Sequence, residues 1–281
     1  MLWKGRRESG NVDDRRGMSG KGLAVGGGAI GIVILLLNFF LGGGDVSQLQ
    51  QQLTVDNNVQ LSPEEQAADD ERASFVKVVL AETEDVWSQL FAKQGIDYAE
   101  PTLVLFRNGV ESACGNASAA VGPFYCPGDQ KLYIDLSFFE QLQHQLKVAG
   151  DFPMAYVIAH EVGHHIQYLT GVSEKAHKLR QQLSETEFNK FSVKMELQAD
   201  FYAGVWAHYA AKTKDILEPG DIEEGLNAAS AVGDDKLQQQ GQGYVVPDAF
   251  THGTSAQRMF WFKKGYVTGD IRQGDTFEGE L

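Results

Sequence analysis

The chain has 281 residues and is acidic, with 24 lysines and arginines against 38 aspartates and glutamates and a formal charge of −14. A hydrophobic content of 43% is that of a globular protein and excludes a wholly disordered or collagen-like chain, while the acidity argues against a nucleic-acid-binding protein. Two cysteines are too few for a four-cysteine zinc module or an iron–sulfur cluster.

Residues 1–21 are the exception to this acidity. They carry six basic and three acidic side chains, a charge of +3, which leaves −17 for the other 260 residues. In the next segment, residues 22–44, Leu23–Leu41 is a run of nineteen residues without a formal charge, close to the roughly 20 that cross a membrane as a helix. We interpret residues 1–21 as a cytoplasmic segment and residues 22–44 as a transmembrane anchor, because basic flanks remain in the cytoplasm. A cleaved signal peptide or a buried core helix would also explain the run.

The rest of the chain would then lie on the side of the membrane opposite the cytoplasm. Residues 45–61 are polar and rich in glutamine, which indicates a linker. Residues 62–281 form the predicted folded domain, and it opens with a helix start signal in which Ser62 is the N-cap, Pro63 the first helical residue and Glu65 the partner in a capping box.

Within this domain the strand signals are few and early. Residues 102–106 and 131–136 read as short strands, and from about Phe152 onward nearly every pattern is helical. We therefore predict an α+β, predominantly helical domain with a small β-sheet.

The two cysteines, Cys114 and Cys126, enclose eleven residues in the part of the chain placed outside the cytoplasm, where disulfides form and persist. We predict a disulfide between them, a staple worth about 2–3 kcal/mol. The alternative, a cysteine nucleophile or redox pair, lacks the CxxC spacing.

The chemistry is concentrated in the sequence AHEVGHHIQ, where His160, Glu161 and His164 match the HExxH pattern. Pro153 and the apolar run before His160 predict a buried helix that ends near Gly171. On a helix, positions i and i+4 share a face, so the two histidines can hold one zinc ion while Glu161 lies to one side of it. Glu161 is then the candidate general base that takes a proton from the attacking water.

A catalytic zinc needs a third protein ligand and an open position. A later helical segment contains MELQAD, in which Glu196 and Asp200 again lie four residues apart on one face. Two carboxylates on a largely apolar helix are costly to bury unless they are paired or bound to metal. We predict Glu196 as the third ligand and Asp200 as the acceptor for the ring N–H of a ligand histidine.

This arrangement resembles the gluzincin peptidases, in which HExxH supplies two zinc ligands and ExxxD, one helix later, supplies the third. Over nearly the whole chain, segments such as GPFYCP, YVIAHEVGHH, MELQADFYAGVW and VPDAFTHGTSAQR are similar to the bacterial putative neutral zinc metallopeptidase family, the YpfJ-like proteins. The resemblance implies a zincin-like metallopeptidase domain. Together with the anchor it predicts a single-pass protein of the bacterial inner (cytoplasmic) membrane, with a cytoplasmic N-terminus and a periplasmic or extracytoplasmic catalytic domain.

Three further residues are candidates for the active site. His252, at the start of a short helix capped by Thr254, is a candidate oxyanion stabiliser because THG…R resembles the late histidine region of gluzincins. Arg258 from the same motif, and Tyr133 on the second strand, are candidate substrate contacts. That strand is either an edge strand that accepts an extended peptide by β-addition or a plain core strand.

The leading hypothesis is a membrane-anchored zinc endopeptidase that holds one zinc per chain and acts on a peptide or protein. The alternative is a non-proteolytic zincin-fold module that binds or regulates at the membrane. The presence of Glu161 favours the enzyme. A purely structural zinc would normally have four Cys or His ligands.

Overall fold

The computed structural model describes residues 1–17, 61–118, 121–144 and 146–279. In these ranges the strands are β1 (Val12–Asp14), β2 (Thr102–Phe106), β3 (Gly109–Ser112), β4 (Gly115–Ser118), β5 (Phe124–Cys126) and β6 (Lys131–Asp135). The helices are α1 (Pro63–Ala92), α2 (Phe138–His144), α3 (Phe152–Leu169), α4 (Val172–Arg180), α5 (Glu185–Thr213), α6 (Asp221–Ala231), α7 (Asp234–Gln242) and α8 (Ser255–Thr268), with short 3-10 turns at Pro247–Ala249 and Ile271–Gln273.

The predicted class, mostly helical with a small sheet, agrees with these elements. The capping box at the start of α1 is confirmed, since the Ser62 hydroxyl accepts the Glu65 N–H and the Glu65 carboxylate accepts the Ser62 N–H. Helix α3 lies at the centre, packed against α1, α5 and α6, and α8 packs along α5. Large aromatic side chains fill the space between them: Phe152, Tyr156, Trp206 and Phe262.

The main sheet has the order β1-β2-β6-β5. Strands β1, β2 and β6 are parallel, and β5 runs antiparallel to β6 with Phe124 opposite Tyr133. The sequence left open whether β6 is an edge strand or a core strand. It is a core strand, because β2 and β5 flank it on its two sides. Within the described part of the chain, β1 and β5 are the outer strands of this sheet. The hairpin β3–β4 stands apart, and the predicted disulfide between Cys114 and Cys126 ties it to β5.

Residues 1–17 belong to the folded body. Strand β1 pairs with β2, so that Val12 lies opposite Leu103. Three arginines of this segment pair with three buried carboxylates of α1. The pairs are Arg6 with Glu82, Arg7 with Glu84 and Arg16 with Asp69. These three arginines, which we interpreted as part of a basic cytoplasmic flank, are therefore electrostatic partners of α1.

The predicted single-pass arrangement is wrong. One crossing between residues 1–21 and residue 62 would place β1 and β2 on opposite sides of a bilayer, yet the two strands are hydrogen-bonded neighbours in one sheet. The predicted transmembrane helix at residues 22–44 falls outside the described residues. Among those that are described, no helix combines the length and the apolar character needed to span a membrane, because the long helices α1 and α5 carry charged side chains along their length.

Candidate metal centre

Helix α3 brings the HExxH residues into the interior. Its first turn begins at Phe152 and Pro153, and nearly all of its side chains up to Gln167 are buried. Asp151 stands at the N-cap position but does not cap the helix. Its carboxylate accepts a hydrogen bond of 2.9 Å from the amino group of Met1 instead.

Three side chains from α3 and α5 converge at one point. The Nε2 atom of His160 lies 3.1 Å from one carboxylate oxygen of Glu196, and the Nε2 atom of His164 lies 3.3 Å from the other. The two imidazole rings stand 4.8 Å apart and perpendicular. One ligand atom from each residue lies within 4.8 Å of the others, so the structure brings together the three residues that the spacing singled out.

Gly163 is what allows the two helices to meet so closely. A Cβ atom at this position would lie 2.9 Å from the Ala199 carbonyl oxygen and 3.0 Å from the Ala199 Cα. Backbone atoms in the middle of a buried helix cannot move aside cheaply. Gly163 therefore sets the distance between the two histidines on α3 and Glu196 on α5.

His160 is oriented by a buried ionic network. Its Nδ1 atom lies 2.8 Å from the Asp200 carboxylate, which also accepts hydrogen bonds from the Tyr156 hydroxyl and from the Arg258 guanidinium. Arg258 is only 4% exposed. Arg258 was a candidate substrate contact; the structure places it beneath His160, buried, as the counter-ion of Asp200. Asp200 has the contact with a ligand histidine that we predicted for it.

His164 is oriented differently, by an amide. Its Nδ1 atom lies 2.9 Å from the side-chain oxygen of Gln167, three residues further along α3. Our sequence reasoning missed Gln167, although its spacing from His164 places both on one helix face. His165, which follows His164 in the sequence, points away from the cluster and lies between the Tyr125 hydroxyl and the Ala99 carbonyl oxygen.

The electrostatics of the cluster favour bound positive charge. Burial disfavours the ionised form of Glu196, but His164 and His160 hold its pKa well below the usual range. Burial also disfavours the charged form of His160, yet Asp200 and Glu196 raise its pKa to about 10. Burial raises the pKa of Glu161, with the two histidines acting against it. A raised carboxyl pKa suits a group that takes and returns protons near neutral pH.

His252 lies at the rim of this cluster, on the segment between α7 and α8. The carboxylate of Asp234 accepts the backbone N–H groups of Thr251, His252 and Gly253 at 2.7–2.9 Å, and its other oxygen lies 3.3 Å from the Nδ1 atom of His252. His252 is close enough to Glu196 to contribute to the low pKa of that carboxyl. Sequence reasoning missed Asp234, because no local pattern links it to a histidine 18 residues later.

Strand β5, and not β6, borders the cluster. The backbone N–H of Tyr125 is directed to the Glu161 carboxylate, while Leu132 of β6 pairs with Tyr125 from the other side. Tyr133 is 1% exposed, stacks on Phe124 and donates its hydroxyl to Asp129. Tyr133, a candidate substrate contact, is therefore part of the core.

The donor set fits zinc. Both Nδ1 atoms are engaged by acceptors, which leaves the Nε2 atoms of His160 and His164 to face Glu196. Neutral imidazoles with one carboxylate are a common three-ligand set of catalytic zinc. A buried helix pair that presents two histidines, a glutamate and an adjacent second glutamate defines the class of HExxH zinc peptidase sites.

The chain belongs to the family described as Putative neutral zinc metallopeptidase, which it matches over residues 1–277. A protein of Escherichia coli (strain K12), named Uncharacterized protein YpfJ, is 48% identical over 292 residues that cover 99% of each chain. Uncharacterized protein Rv2575 of Mycobacterium tuberculosis (strain ATCC 25618 / H37Rv) is 45% identical over 202 residues, 68% of this chain and 66% of that protein. No solved structure matches the chain. A zinc peptidase family implies a peptide or protein substrate.

Proposed function

We propose that this protein is a zinc-dependent peptidase that hydrolyses internal peptide bonds, with His160, His164 and Glu196 as the ligands of one zinc ion per chain. The observation that carries the proposal is the convergence of these three side chains beside Glu161 in a buried cluster. Zinc supplies Lewis-acid chemistry, since it acidifies water and polarises a carbonyl group. Every other requirement of the reaction falls to side chains of this chain.

Glu161 is the proposed proton carrier. It follows the first histidine on α3 and is 8% exposed, and its raised pKa matches the task. Its carboxylate takes a proton from the attacking water and delivers that proton to the nitrogen of the departing amine, so no other acid is needed. The Tyr125 N–H favours the ionised form of this carboxylate.

His252 is the proposed donor to the oxyanion of the tetrahedral intermediate. Asp234 supports this role, because it binds the backbone on both sides of the histidine and contacts its Nδ1 atom. Among the described strands β5 is the outer one on the side of Glu161, and its outer edge is the proposed binding site of an extended substrate, which would add to the sheet as a strand.

The test uses the full-length chain, because residues 1–17 are part of the fold. We expect zinc-loaded protein to cut peptides from an unbiased library and a chelator to stop it. Glu161→Gln should retain zinc and lose cleavage by about 10²–10⁴-fold, since the proton carrier is removed. Glu174→Gln, on the exposed surface of α4, is the matched control and should cleave like the wild type.

Undiminished cleavage by Glu161→Gln would overturn the assignment of the proton carrier. Cleavage that continues after all metal has been removed would overturn the proposal that the peptidase depends on zinc. A wild type that binds zinc and cuts nothing in the library would favour the non-proteolytic module.

A further inference from the structure

We propose that Gln167 is a positioning residue for His164, held in its orientation by an amide relay that runs from the C-terminal segment through α5. The relay consists of the Gly274 carbonyl, Gln198 and Gln167. This inference rests on the proposed function only in that His164 is taken as a zinc ligand.

The orientation of the Gln167 amide is set by its surroundings. Its side-chain nitrogen lies 2.7 Å from the Met195 carbonyl oxygen and 3.1 Å from the side-chain oxygen of Gln198. A backbone carbonyl can only accept a hydrogen bond, so the NH₂ group must face α5. The amide oxygen must then face His164, where it lies 2.9 Å from Nδ1.

This orientation fixes the tautomer of His164. An amide oxygen is only an acceptor, so the hydrogen of the neutral imidazole must be on Nδ1. The Nε2 atom, directed toward Glu196 at 3.3 Å, then keeps its lone pair for a metal. Gln167 thereby selects the form of His164 that can bind zinc at the convergence point.

Gln198 is oriented by the same logic, one step further away. Its side-chain nitrogen donates to the Gly274 carbonyl oxygen at 2.9 Å, so its oxygen faces Gln167. Gln167 is fully buried and Gln198 is 6% exposed, and no solvent competes for these bonds. In a water-free interior a fully satisfied chain of amides is rigid, and a broken one is costly.

The C-terminal segment that ends the relay is itself fixed to α5. The Thr276 hydroxyl donates to the Lys194 carbonyl oxygen, and the Lys194 ammonium donates to the Gly279 carbonyl oxygen. A Cβ atom at Gly274 would lie 2.5 Å from the ring of buried Phe201. Only glycine brings its carbonyl to Gln198 without displacing that ring.

The two histidines therefore have orienting partners of different charge. His160 faces the Asp200 carboxylate, whose charge is balanced by Arg258. His164 faces a neutral amide with no counter-ion. The relay orients the second ligand without adding another carboxylate to the three already in the cluster, Glu161, Glu196 and Asp200.

The experiment measures zinc affinity of the full-length chain by competition with a chromophoric chelator, for the wild type and three variants. Gln167→Ala removes the acceptor, and we expect a loss of about 10–100-fold in affinity. Gln167→Glu restores a carbonyl oxygen of the same reach, and in its protonated form it still donates to Met195. We expect it to recover most of the affinity. Gln198→Ala leaves Gln167 bonded to Met195 and should lose less than Gln167→Ala.

A second measurement follows the Nδ1–H proton of His164 by NMR in protein with ¹⁵N-labelled histidine and bound zinc. This proton should be protected from solvent exchange in the wild type and in Gln167→Glu, and unprotected in Gln167→Ala. A structural role alone would lower the melting temperature without this pattern of rescue. Equal losses of affinity in the Ala and Glu variants, or affinity in Gln167→Ala within about twofold of the wild type, would overturn the inference, as such shifts fall below the usual effect of an orienting partner.

Cleavage is recorded separately. If the wild type binds zinc and cuts no peptide, the proposed function fails while the affinity series still decides the role of Gln167. If cleavage is robust and the affinity series is flat, the relay alone fails.

Discussion

Several residues that are not predicted zinc ligands control the geometry of the metal centre. Gly163 has no side chain to offer, yet it sets how near α3 comes to Ala199 on α5. Gln167 and Asp234 are uncharacteristic of a zinc motif, yet each orients a histidine. Arg258 is buried and holds the Asp200 carboxylate that His160 needs.

We predict that Gly163→Ala lowers the free energy of unfolding by about 1–3 kcal/mol, the usual cost of overpacking an interior. The added methyl group meets backbone atoms that can give way only if α3 and α5 separate. Zinc affinity should fall as well, because His160 and His164 lie on one helix and Glu196 on the other. Chemical denaturation and chelator competition measure the two effects.

Gly10→Ala is the control for this prediction, since a Cβ atom there meets nothing within 4 Å. It should leave both stability and zinc affinity unchanged. If Gly163→Ala behaved like this control, the close approach of the helices would have no role in the site.

At the scale of elements, the N-terminal segment is the main departure from the sequence analysis. Strand β1 is only three residues long and contains two aspartates, so no periodic pattern marks it as a strand. Its pairing with β2 joins residues about 90 apart in sequence, a contact that no local window contains. The helix signals of α1, α3 and α5 were readable because caps and 3.6-residue periodicity are local.

We predict that a chain lacking residues 1–17 is strongly destabilised. The deletion exposes one edge of β2 and leaves the carboxylates of Glu84 and Asp69 buried without their arginines from this segment. Glu84 also loses its hydrogen bonds from Ser9 and Asn11, whereas Asp69 keeps its bond from Arg107. A buried carboxylate that loses its partners costs about 3–5 kcal/mol. Circular dichroism on heating should show a large fall in melting temperature or no cooperative transition.

Lys4→Ala is the matched control, because Lys4 and its partner Glu71 are both largely exposed. We expect a change of about 0–1 kcal/mol, as for surface pairs in general. If the deletion variant had the melting temperature of the wild type, residues 1–17 would contribute little to the stability of the fold.

For the whole molecule, the disulfide is the one covalent tie between separate parts of the described chain. It joins the hairpin β3–β4 to β5, whose Tyr125 contacts Glu161. We predict that reduction lowers the free energy of unfolding by about 2–3 kcal/mol, because the closed loop no longer restricts the unfolded chain. Denaturation with and without a reductant measures the difference.

The double variant Cys114→Ala and Cys126→Ala should already have the lower stability and should not respond to reductant. A response of that variant equal to the wild type would show that the reductant acts elsewhere.

The structure also changes how the charge distribution of the whole molecule is interpreted. The segment of residues 1–21 carries a charge of +3, and its described part, residues 1–17, belongs to the folded body. Three of its arginines neutralise buried carboxylates of α1, so part of the acidity of residues 62–281 is matched inside the fold. The net charge follows from composition, but which arginine contacts which carboxylate depends on the fold.

The sequence by itself determined the helices α1, α3 and α5, the HExxH and ExxxD spacings and the disulfide, because these depend on local periodicity, on caps and on two cysteines having only each other. It also established the family. The tertiary structure alone decided that β1 joins the sheet, that β6 is interior, that Arg258 is buried beneath Asp200, and that Gln167 and Asp234 orient His164 and His252. Those facts depend on contacts between residues distant in sequence, where side-chain direction and burial are set by packing and no local pattern records them.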